Sequence, residues 1–165
     1  MADKASFSTD EWPKIVGSPI LAGMAVTLAD PSGLWGTLKE GMASAYALME
    51  AKKDAGASSL VKAIVAELET SEGRTMARDA FKAQLTAKTP AELKAQAIAA
   101  LGAVSQLVDA KAGADAPAFK IWLSGIAERV AEAAKEGGFL GFGGVPVSDA
   151  EKATLAEVSG ALRVS

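Results

Sequence analysis

The chain has 165 residues, 17 Lys and Arg against 20 Asp and Glu, a formal net charge of −3, and neither cysteine nor histidine. The missing cysteine removes disulfides, thiolate nucleophiles and Cys-ligated metal sites, and the missing histidine removes the usual general base and the commonest transition-metal ligand. Because no stretch concentrates Lys and Arg, nucleic acid and a polybasic membrane anchor are disfavoured as well; an enzyme is the last class to expect, and no cofactor is expected.

Alanine, the best helix former, fills more than a fifth of the chain, while aromatics are only 5%. The composition predicts an all-α protein, a single-domain bundle of seven to eight helices over residues 1–165. Ser8-Thr9-Asp10-Glu11 has the form of a capping box and opens a short helix through about Val16. Ser18 with Pro19 then starts a second helix, Pro19 to Ala29, apolar almost all round and so central and buried. Asp30-Pro31-Ser32-Gly33 repeats the cap-plus-proline signal and launches a helix to about Lys53, with Leu34, Trp35, Leu38, Met42, Tyr46 and Met49 at helical spacing.

Ser59 is expected to cap a helix carrying Leu60, Ile64 and Leu68. Thr70-Ser71-Glu72-Gly73 marks a boundary before Arg74 to Leu85, where Met76, Ala77, Phe81 and Leu85 face inward. Thr89-Pro90-Ala91-Glu92 joins a capping box to a proline at the first helical position, ahead of Leu93, Ala97, Leu101, Val104 and Val108. After a small-residue turn at 112–117, a helix with Phe119, Trp122, Ile126, Val130 and Ala133 runs from Ala118 to about Glu136. Ser148-Asp149-Ala150-Glu151 opens the last helix, with Leu155, Val158 and Leu162. The apolar stretch from Ile15 to Ala29 is too short to span a bilayer, and the acids Asp3, Asp10 and Glu11 before it are wrong for a signal peptide. A cytoplasmic protein without a transmembrane segment is expected.

Between the last two helices lies the densest local signal, Gly137-Gly138-Phe139-Leu140-Gly141-Phe142-Gly143-Gly144-Val145-Pro146-Val147. It is neither a Walker loop, lacking Gly-Lys-Ser/Thr, nor a dinucleotide fingerprint, lacking a preceding strand. Two readings stay open. Either the phenylalanines plug the end of the bundle, or Phe139, Leu140 and Phe142 are exposed and dock on a protein partner, with weak contact to a membrane surface as a variant.

Other constellations are weaker. Ser59 and Lys62 match Ser-x-x-Lys, but the partner motifs of serine acyl-enzymes are missing, which leaves a helix cap and a solvated lysine. An EF-hand starting at Asp30 fails, with Leu34 at its fifth position and Gly41 at its twelfth. Glu128, Glu132 and Glu136 share one helix face and, with Asp149 and Glu151, are candidate oxygen ligands for a divalent cation. A hydrated outer face explains the same spacing. Trp12, Trp35 and Trp122 fall at core positions, and an apolar cavity lined by Trp35, Met42 and Trp122 is the alternative.

The stretch from Ile126 to Leu162, together with Asp30-Pro31-Ser32-Gly33-Leu34-Trp35-Gly36, resembles a group of small uncharacterised bacterial helical proteins. More distantly, a helix, a glycine-rich turn, Val147-Ser148-Asp149-Ala150-Glu151 and a final helix are similar to the tellurite-resistance TerB-like family. That resemblance implies an all-α bundle, metal binding through acidic residues and a role in stress-response complexes near the membrane. The chain departs from it in having no acid between Glu136 and Asp149. The expectation is a non-catalytic protein that binds a macromolecular partner through residues 137–147; the alternatives are a small apolar ligand or lipid binder and a TerB-like divalent-cation binder.

Overall fold

The structure, a computed structural model, describes residues 1–29, 50–51, 53–54, 56–135 and 147–164. Among them are six α-helices and no strand: α1 (Trp12–Thr27), α2 (Ser59–Glu69), α3 (Ser71–Gln84), α4 (Pro90–Lys111), α5 (Ala116–Lys135) and α6 (Asp149–Leu162). Short 3-10 turns stand at Lys4–Ser6 and Gly113–Asp115. The protein is all-α, as its composition implies. The helix expected from Asp30 to Lys53 lies outside the described residues except at its end, where Glu50, Ala51 and Lys53 are helical.

One correction concerns the first two expected helices, which are a single helix. Proline inside a helix lacks the N–H that would reach the carbonyl four residues back, here that of Ile15. Ser18 supplies the missing donor: its Oγ donates to the Ile15 carbonyl at 2.7 Å, with Ser18 fully buried. The helix therefore runs through Pro19. The Ser8–Glu11 capping box does form, with Glu11 Oε2 accepting from Ser8 N at 2.8 Å and Ser8 Oγ from Glu11 N at 3.3 Å. It closes the turn before α1 rather than its first helical turn.

α1 is the central helix. It packs against each of the other five, and its buried face runs from Trp12 through Ile15, Val16, Leu21, Ala22 and Ala25 to Val26. The core is completed by Leu60 and Ile64 of α2, Ala77 of α3, Leu101 and Val108 of α4, Phe119, Leu123, Ile126 and Val130 of α5, and Val158 and Leu162 of α6. Burying such side chains is the main favourable term in folding. Met76, Phe81, Leu85, Leu68 and Leu155 are half-buried at its edge.

Caps fix the helix starts. Ser58, one residue before the expected cap, accepts from Val61 N at 3.3 Å; Thr70 Oγ1 accepts from Gly73 N at 2.8 Å and Thr89 Oγ1 from Glu92 N at 3.3 Å. α2 turns into α3 so tightly that a Cβ on Gly73 would lie 2.0 Å from the Glu67 carbonyl oxygen. Polar ties then join distant segments. Asp115 accepts from Ala2 N at 2.5 Å and from Ser59 N at 3.1 Å, and Glu67 accepts from the Trp12 indole at 3.1 Å.

The start of α1 is tied to the end of α4 by Lys111, whose Nζ lies 2.8 and 2.6 Å from the two Glu11 carboxylate oxygens. That lysine hydrogen bond, then the Ser8 backbone N–H, holds the Glu11 carboxyl below the ordinary glutamate range. A lowered value in the folded state means that the stabilisation is present above the unfolded-state value and is lost as pH falls through the folded one. In a carboxyl NMR titration Glu11 should titrate below the ordinary glutamate range. Lys111→Met should move it upward; an unmoved titration in that variant counts against the tie.

Candidate functional site

The loop from α5 to α6 is the segment singled out by sequence, and Phe139, Leu140 and Phe142 lie outside the described residues. Its exit is described. Val147 packs against the core at half exposure, and Ser148 and Glu151 close a reciprocal capping box, Ser148 N donating to Glu151 Oε2 at 2.7 Å and Glu151 N to Ser148 Oγ at 3.1 Å. Glu151 is only 6% exposed, so its carboxylate is committed to this cap. The two helices that carry the loop pack on one another, with Ser124 Oγ 3.5 Å from Ser159 Oγ. The loop thus enters α6 from a fixed point.

Of the candidate cation ligands, Glu128, Glu132, Asp149 and Glu151 are among the described residues. Glu128 and Glu132 are exposed on α5, and Glu136 lies outside the described residues. Between the first two, Arg129 pairs with Glu50, which ties that residue to α5. Asp149 is fully exposed and pairs with Lys152 at 3.6 Å, while Glu151 is turned into its cap. Among the described residues no group of three or more acids is arranged to hold a metal ion. Nor is any described helix long and apolar enough to cross a membrane.

The tryptophans divide. Trp12 is a core residue, stacked near Phe7 with ring centroids 5.9 Å apart and its N–H satisfied by Glu67. Trp122 is half-buried beside Phe119, centroids 6.2 Å apart, and its buried indole N–H has no partner among the described residues. Trp35 and Met42, the other expected wall residues, lie outside the described residues. Ser59 opens α2, and its backbone N–H donates to Asp115 Oδ1 at 3.1 Å.

Sequence reasoning missed a further constellation. Where α4 ends, α5 begins and the chain leaves α6, a cleft of about 250 Å³ is lined by Asp109, Pro117, Lys120, Ile121, Arg163 and Val164. Lys120 is 5% exposed, with Nζ 2.5 Å from Asp109 Oδ1, and Arg163 Nη1 stands 3.9 Å from Asp109 Oδ2. Ile121, at 63% exposure, forms the outer wall. One signal for it was present: Lys120 sits one residue after Phe119 and three before Leu123, on the inward arc of an amphipathic helix where a charge needs a partner. No protein-family model matches the chain, and no curated protein or solved structure matches it.

Proposed function

We propose that the chain is a non-catalytic, cytoplasmic binding protein that engages a protein partner through residues 137–147, with Phe139, Leu140 and Phe142 as the contacting side chains. The observation that supports this reading is the fixed exit of that segment, with Val147 packed on the core and a closed capping box at Ser148 and Glu151. A contact segment leaving a rigid end loses less conformational freedom on binding than one leaving a frayed helix. Two phenylalanines supply aromatic anchors of the kind that dominate interface energetics, and Leu140 adds apolar area beside them. The TerB-like resemblance fits an all-α module of this kind, while its cation-binding half draws no support from Glu151, whose carboxylate is spent on Ser148 N.

The test is the double variant Phe139→Ala/Phe142→Ala. A partner isolated with the unmodified protein and purified should bind the variant at least about a hundredfold more weakly, since two anchor side chains are each worth ~2 kcal/mol or more. Equal affinity would remove the loop from the interface. A second reading, a small apolar ligand seated against Trp122, is favoured by its unpartnered indole N–H, because a buried donor is stabilised by an acceptor. In that case the Trp122 indole resonance shifts on titration with 2-heptanone; an unmoved resonance dismisses it.

A further inference from the structure

The cleft at the end of α4 stands apart from the loop and from both readings above. We infer that it binds a small monocarboxylate with a short apolar tail. Three independent features meet there: a surplus of positive charge, a backbone conformation that favours glycine but carries arginine, and an apolar wall left in solvent.

Charge comes first. Among the described residues the cleft holds two cations, Lys120 and Arg163, and one carboxylate, Asp109. Lys120 is nearly buried, and burying an ammonium is costly unless partners compensate. Asp109 Oδ1, 2.5 Å from the Lys120 Nζ, is the ion-pair partner that does so. Arg163 stands 3.9 Å from the other oxygen, near the outer limit of an ion pair, with its side chain 62% exposed. One additional monoanion neutralises the cluster. A dianion such as phosphate would overshoot it.

The backbone of Arg163 points the same way. Arg163 ends α6 with φ 56° and ψ 42°, the one non-glycine residue at positive φ among the described residues. Its N–H donates to the Gly160 carbonyl at 3.2 Å and Val164 N to the Ser159 carbonyl at 3.1 Å, the paired bonds of a Schellman ending. Glycine occupies that position without strain, whereas an L side chain is penalised there. Arginine at this place sends a guanidinium over the cleft, and a guanidinium suits two-point binding of a carboxylate.

The walls select the rest of the ligand. Pro117, Val164 and the strongly exposed Ile121 supply apolar surface beside the cations. A short aliphatic chain laid on them removes that surface from water while its carboxylate meets the charges of Arg163 and Lys120. A free acid and a peptide terminus carry the same group.

The test uses the full chain, hexanoate as probe and amide NMR as readout. Hexanoate should shift the amide resonances of residues 118–121 and 163–164, whereas 1-hexanol, lacking the charge, should bind at least about tenfold more weakly. The separating variant is Arg163→Gly. It should weaken hexanoate at least about tenfold while the thermal midpoint stays the same or rises, because strain at positive φ is relieved. Ile121→Ser should also weaken hexanoate and leave acetate unchanged. A tripeptide ending in valine, compared with its amide, tells whether a chain terminus binds better than the free acid. The inference is overturned if hexanoate moves none of these resonances, if 1-hexanol binds as well, or if Arg163→Gly binds like the unmodified protein. These outcomes are indifferent to Phe139 and Phe142, so the two proposals fail separately.

Discussion

Replacing Gly73 with alanine is expected to cost the fold about 3 kcal/mol, at the upper end of what overpacking does. For a domain of this size that lowers the thermal midpoint by roughly 6–12 °C. The added Cβ would sit 2.0 Å from the Glu67 carbonyl oxygen and 2.6 Å from its carbon, and both are backbone atoms. A side chain in the way can rotate; a carbonyl can move only if the last turn of α2 moves with it. That turn also carries the carboxylate holding Trp12 and Lys4. The Thr70 cap, whose Oγ1 accepts from Gly73 N at 2.8 Å, would be pulled apart by the same shift. Gly102→Ala is the matched control. No described atom lies within 4 Å of its added Cβ, so the higher helix propensity of alanine should stabilise by about 0.5–1 kcal/mol. Urea unfolding of both variants checks the pair, and equal effects would show that the α2–α3 turn is looser than described.

The second large effect belongs to Ser18, and its sign depends on its neighbour. Ser18→Ala leaves the buried Ile15 carbonyl without a donor, which costs roughly 1–3 kcal/mol. Pro19→Ala restores a backbone N–H at the position from which an α-helix would satisfy that carbonyl. In the Pro19→Ala background, Ser18→Ala should therefore cost less than about 0.5 kcal/mol, since the hydroxyl is no longer the carbonyl's sole donor. The double-mutant cycle should give a coupling of about 1–2 kcal/mol between adjacent residues, within the range seen for groups sharing one hydrogen-bonding network. Equal costs in the two backgrounds would mean that Ser18 does not replace the bond lost at Pro19.

Those two residues also show what was legible in the sequence. Helix starts announced by a capping box or by proline at the first turn came out at Thr89 and Ser148, because the cap is a local interaction between residues three apart. Gly17-Ser18-Pro19 reads as an interruption by the same local logic. It is not one, since a serine hydroxyl one residue away does the work of the missing amide. The apolar periodicity of α4 and α5 identified Leu101, Val108, Ile126 and Val130 as core, and all four are buried.

Of the charged cleft only Lys120, a charge on an inward helix face, was legible in this way. Asp109 and Lys120 are separated by a turn and a 3-10 segment, and Arg163 reaches them only because α6 ends against the same place. Nothing local tells that Arg163 takes positive φ, a conformation sequence assigns to glycine. Conversely, Glu151 reads as an open ligand by composition, yet its place three residues after Ser148 commits it to a cap. A motif's first use is often structural, and only the fold shows which carboxylates remain for anything else.

Phe139 and Phe142 act either as contacts or as plugs, and the free energy of unfolding separates the two. Truncating a buried phenylalanine costs about 3–5 kcal/mol, whereas a surface substitution stays within about 0.5 kcal/mol. Urea unfolding of Phe139→Ala/Phe142→Ala should accordingly return a stability within about 1 kcal/mol of the unmodified protein. A loss of roughly 6 kcal/mol or more, the sum for two core phenylalanines, would make the pair part of the core and contradict the proposal.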